Sequence, residues 1–64
     1  MAQQLIGHVV LIEGEAIATG PDGERRVLRL GSPVFEGETI VALDGARVEL
    51  VFDESGSRFL LRAS

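Results

Sequence analysis

Turn-forming residues break this chain at short, regular intervals. They are Gly14, Gly20-Pro21-Asp22-Gly23, Gly31-Ser32-Pro33, Glu36-Gly37-Glu38, Asp44-Gly45 and Asp53-Glu54-Ser55-Gly56-Ser57. A turn roughly every eight to ten residues suits short strands joined end to end and leaves no room for a helix of about ten residues. The fold class this predicts is all-β: a small β-sandwich or partly open barrel of about six short, mostly antiparallel strands. With 64 residues there is material for one core only, so residues 1–64 are read as a single β-domain.

The first strand runs from Ile6 to Glu13 and is apolar on both faces, which predicts a central position or a crossing from one sheet to another. A second strand, Ala16 to Ala18, enters the turn at Gly20-Pro21-Asp22-Gly23 and returns as Arg25 to Leu30, with Leu28 and Leu30 on one face. Val34-Phe35 and then Thr39 to Leu43 follow. Asp44-Gly45 is a hairpin signal, because a type I′ turn needs positive φ at both central residues. The clearest alternation is Ala46, Val48, Leu50 and Phe52 against Arg47, Glu49 and Val51. A last strand, Arg58 to Arg62, turns Phe59 and Leu61 inward. The expected core is therefore Val10, Ile12, Ile17, Leu28, Leu30, Phe35, Ile40, Val48, Leu50, Phe52, Phe59 and Leu61. Glu13-Gly14-Glu15-Ala16-Ile17 and Glu36-Gly37-Glu38-Thr39-Ile40 share the pattern E-G-E-x-I, which reads as two similar turns.

Composition excludes several kinds of work. The chain has no cysteine, so a disulfide framework, a thiolate metal site and a cysteine nucleophile are impossible. Ten carboxylates stand against six arginines and no lysine, for a formal charge of −4, the wrong balance for tracking nucleic-acid phosphates. No apolar run approaches the ~20 residues of a membrane span, and the start Met-Ala-Gln-Gln-Leu-Ile-Gly-His has neither the positive region nor the apolar stretch of a secretory signal. Leu61 lies close to Ser64, which suggests the folded core of a longer protein.

Catalytic and metal-binding chemistry is expected to be absent. His8 is the sole histidine, and no second one exists to complete a usual ligand set. Thr19, Thr39, Ser55 and Ser57 have no general base such as histidine near them in sequence, although His8 and an aspartate could join one of them in space. Asp53, Glu54, Ser55 and Ser57 lack the alternating acids and terminal glutamate of a calcium loop and read as a solvated turn. Glu13, Glu15, Glu36 and Glu38 read as two exposed turns, with weak calcium affinity only if they meet. Gly20, Gly23, Gly31, Gly37 and Gly45 sit at turns and open no helix that would hold a phosphate. The reading is no enzyme, no cofactor and no metal.

Taken together, Gly7-His8-Val9-Val10, Glu13-Gly14-Glu15-Ala16, Gly20-Pro21-Asp22-Gly23, Leu28-x-Leu30-Gly31, Val34-Phe35-Glu36-Gly37-Glu38-Thr39-Ile40 and Val48-Glu49-Leu50-x-Phe52-Asp53 form a pattern. It resembles the N-terminal retention module of LapA-type giant RTX adhesins, and more distantly the FecR-type periplasmic β-domain. The resemblance runs from Ile6 to Leu61 and is most specific from Leu30 to Ile40 and in the strand leading to Asp53. The loop from Asp53 to Ser57 is longer than the short Asp-Gly-Ser turn of the family, and no Ala-Ala pair marks a protease site in this chain.

That resemblance implies a periplasmic plug in a Gram-negative bacterium. Such a module folds after the rest of a type I-secreted adhesin has been threaded out and jams in the outer-membrane channel, holding the adhesin on the surface for biofilm formation. Its implied partners are that channel and a periplasmic cysteine protease that cuts downstream. A monomer is expected, with no nucleic-acid partner and no direct membrane insertion. The alternative is a FecR-like sensing or protein-binding β-module.

Overall fold

The structure, a computed structural model, describes residues 4–63 and contains only strands and turns. Seven strands form: β1 (Leu5–Glu13), β2 (Ala16–Thr19), β3 (Arg25–Val27), β4 (Pro33–Phe35), β5 (Thr39–Ala42), β6 (Arg47–Phe52) and β7 (Arg58–Arg62). The protein is all-β, with seven strands where about six were expected. They make two antiparallel sheets, one ordered β4-β1-β6-β7 and the other β3-β2-β5. The first strand is indeed central, paired on both sides.

Only two connections stay within a sheet, the β2–β3 and β6–β7 hairpins; β1–β2, β3–β4, β4–β5 and β5–β6 all pass from one sheet to the other. At the β2–β3 hairpin the Gly23 N–H donates to the Gly20 carbonyl at 2.9 Å, and Asp22 Oδ1 accepts from the Glu24 N–H at 3.0 Å. Asp44-Gly45, by contrast, does not close a hairpin, because β5 pairs with β2 while β6 pairs with β1 and β7. Only Gly45 has positive φ there, at 74°, so the turn is not type I′, and it redirects the chain into the other sheet.

Between the sheets lie Val9, Ala16, Ala18, Leu28, Val34, Val48 and Leu50, with Ile6, Ile12, Ile40 and Leu61 packed against them. Alanine at Ala16 and Ala18, both fully buried, leaves little between the backbones of the two layers. Several expected core residues lie elsewhere, each for a local reason. Val9 pairs with Leu50 and Leu11 with Glu49, so Val10 is the unpaired residue of a bulge. The bulge rephases β1: Val9 points in before it and Ile12 after it, while Val10 is only half-buried.

Ile17 lies between the inward Ala16 and Ala18 and so faces outward, opposite Val27 on one side and Val41 on the other. Leu30 is 69% exposed because β3 ends at Val27 and the chain turns at Arg29–Ser32, where the Ser32 N–H donates to the Arg29 carbonyl at 2.9 Å. Phe35 and Phe52 are half-buried. Phe59 lies opposite the buried Leu50, yet it is 53% exposed: β7 is the outermost strand of a sheet one strand wider than its partner.

Candidate functional site

The strongest polar cluster joins the two sheets. Arg26 lies opposite the buried Ala18, on the inward side of β3, and its guanidinium reaches across to β4 and the β4–β5 turn. Its Nη2 donates to Glu38 Oε1 at 2.8 Å and to the Pro33 carbonyl at 2.6 Å, while Nε donates to Glu38 Oε2 at 3.2 Å. The Phe35 N–H donates to Glu38 Oε1 at 2.8 Å, and the guanidinium sits 5.5 Å from the Phe35 ring centroid. A forked guanidinium on a carboxylate adds fixed geometry to charge, and ring contact adds a smaller attraction.

Only 4% of the Glu38 side chain is exposed, which corrects the expectation of two exposed E-G-E turns at this one acid; Glu13, Glu15 and Glu36 are exposed. The two strings do make the same topological move, from β1 to β2 and from β4 to β5, each out of the four-stranded sheet into the three-stranded one. They differ in phase. Glu15 alternates with the outward Ile17, whereas Glu38 alternates with Ile40, which packs on the core. The legible signal for this cluster was parity alone: Arg26 shares the face of Leu28.

Two further ion pairs, Arg47–Glu13 and Arg58–Glu49, join neighbouring strands of the four-stranded sheet. Arg47 Nη2 donates to Glu13 Oε1 at 2.6 Å and Arg58 Nη1 to Glu49 Oε2 at 3.1 Å. With Glu13 held by Arg47 and Glu38 by Arg26, the two acidic turns do not pool their carboxylates. Among the described residues no group of three or more acids and histidine is disposed to hold a metal ion.

His8 Nδ1 donates to Asp53 Oδ1 at 2.9 Å, tying β1 to the β6–β7 loop, with both side chains nearly half exposed. The loop from Asp53 to Ser57 is exposed throughout, and Asp53 ties it to β1. The Ser55 hydroxyl accepts the Ser57 N–H at 3.2 Å, and no serine or threonine among the described residues hydrogen-bonds the imidazole. A hollow of about 560 Å³ opens beside Asp53, between Leu5, Ile6, Phe52 and Ser55.

The arrangement therefore offers a tied body with a narrow core. Its extents are 34 × 27 × 15 Å and its radius of gyration is 11.1 Å. No family model, curated protein or solved structure matches the chain.

Proposed function

We propose that this domain is a retention plug: a folded body at the periplasmic side of an outer-membrane channel that holds an already threaded, type I-secreted adhesin on the cell surface. The observation that carries the reading is size against thread. A single extended strand occupies about 5 by 10 Å in section, whereas this body, passing end-on, presents a backbone section of 27 × 15 Å. It is thinner in one dimension than a sphere of its length, so its resistance depends on staying folded and not on girth alone.

Support also comes from the way the strands are paired. β1, near the start, is zipped to β6, near the end, and four of the connections cross between layers. Opening such a body breaks non-local pairing and core packing together, which favours slow unfolding. In this reading a periplasmic cysteine protease frees the adhesin by cutting downstream of the domain. A second reading, a protein-binding β-module, is favoured by the outward row Val27-Ile17-Val41 across the three-stranded sheet, whose two valines are about half exposed.

The test is a fusion of this domain to a type I-secreted passenger in a Gram-negative host. The parent fusion is expected to stay on the cell surface, and Leu50→Asp, which puts a carboxylate in the core, to release the passenger to the medium. Equal retention by the unfolded variant would rule out blockage by a folded body.

A further inference from the structure

The outermost strand β7 is built unlike the other strand edges. Phe52 N–H donates to the Ser57 carbonyl at 2.9 Å and Ala63 N–H to the Ala46 carbonyl at 3.0 Å, which marks the close positions at both ends of the β6–β7 ladder. Antiparallel alternation then turns the backbone groups of Phe59 and Leu61 toward β6 and leaves those of Arg58, Leu60 and Arg62 along the open edge. The opposite edge of that sheet, β4, starts with Pro33, which has no N–H to offer. The edges of the other sheet, β3 and β5, are three and four residues long.

The side chains of β7 also await cover. Phe59 is 53% and Leu60 51% exposed, on opposite faces of the strand. Arg58 and Arg62 bracket them. Arg58 has one ion pair, to Glu49, while Arg62 lies directly opposite Arg47, whose charge is taken by Glu13. No ion pair involves Arg62 among the described residues, so in a chain of net charge −4 this edge is locally basic.

We infer that the open edge of β7 is a docking site for an extended segment of another polypeptide, added as a fifth strand and carrying an acidic residue on each side of an apolar triplet. Main-chain bonds to Arg58, Leu60 and Arg62 would supply the pairing, the acids would meet the two arginines, and the apolar residues would cover Phe59 and Leu60. A second copy of this chain fits poorly. Antiparallel pairing of two β7 strands puts Arg58 of one copy opposite Arg62 of the other, and in-register parallel pairing puts each arginine opposite itself; both juxtapose like charges.

The experiment titrates the isotopically labelled chain with the capped peptide Ser-Glu-Val-Val-Ile-Glu-Ser and with its counterpart carrying lysine for glutamate. The glutamate peptide is expected to shift the amide signals of Arg58, Leu60 and Arg62 most and to slow their hydrogen exchange. The lysine peptide should bind roughly fivefold more weakly, as opposed to paired charges on a strand face require. In Arg62→Glu the preference should shrink or reverse. Equal binding of the two peptides, shifts centred on β5 or β3, or no shift at all would overturn the inference. So would concentration-dependent shifts of β7 in the peptide-free chain, which would assign the edge to a second copy.

Discussion

Glu15 and Glu38 end identical tripeptides, yet one is exposed and the other is enclosed by Arg26, the Phe35 N–H and the edge of the core. A carboxylate removed from water in this way is held only because its hydrogen bonds are replaced. Replacing Glu38 by glutamine keeps the shape but removes the charge that matches Arg26. The expected loss is about 1–3 kcal/mol of stability, less than for a fully enclosed pair because the Arg26 side chain is one-third exposed. A urea titration followed by circular dichroism would read this as a lower midpoint at an unchanged slope. An unshifted midpoint would make the cluster ornamental. The three exposed pairs, His8–Asp53, Arg47–Glu13 and Arg58–Glu49, are each worth ~0–1 kcal/mol by the same assay.

At the scale of elements, the places where the chain changes sheet carry the topology. Gly14 joins β1 to β2 with φ at 81°, and a Cβ added there would lie 2.9 Å from the Ala46 side chain. Gly45 joins β5 to β6 with φ at 74°, and a Cβ there would meet nothing within 4 Å. Both alanine substitutions incur the left-handed penalty of about 1–2 kcal/mol, but only Gly14→Ala adds a collision between two crossing segments. Gly14→Ala is therefore expected to be the more destabilising of the two, measured as the difference in urea midpoints. Equal losses would mean that the approach of Gly14 to Ala46 relaxes without cost. The strand positions were largely legible from turn residues and alternation, as in β6, where Val48 and Leu50 are buried and Arg47 is not. Partnership was less legible. Asp44-Gly45 carries the right residues for a hairpin, but the partner of β5 lies upstream in β2, and a local turn signal holds no information about that.

For the whole molecule, the four sheet-to-sheet crossings mean that neither sheet is a continuous stretch of sequence. Each layer lacks one covered face without the other, so the two are expected to unfold together in one transition, with a urea slope of about 1 kcal/mol/M for a domain of this size. The chain has neither tryptophan nor tyrosine, so circular dichroism and amide exchange are the suitable probes. Amides of Val9, Val48 and Leu50 should exchange only through global opening, and those facing out from the short β3 edge at least about tenfold faster. Two separate transitions, one for each sheet, would contradict a shared core and weaken the plug reading with it.

What the amino-acid order determined alone is local: where strands stop, which stretches alternate, and that no cysteine or second histidine is present to build a site. These properties depend on backbone φ preferences and side-chain type, which act over a few residues. Tertiary structure decided the rest. The bulge at Val10 shifted the buried set of β1 to Val9 and Ile12, the phase of β2 turned Ile17 outward, and the width of the larger sheet left Phe59 uncovered. Each outcome depends on which distant strand lies opposite, and burial is a property of that pairing rather than of the residue.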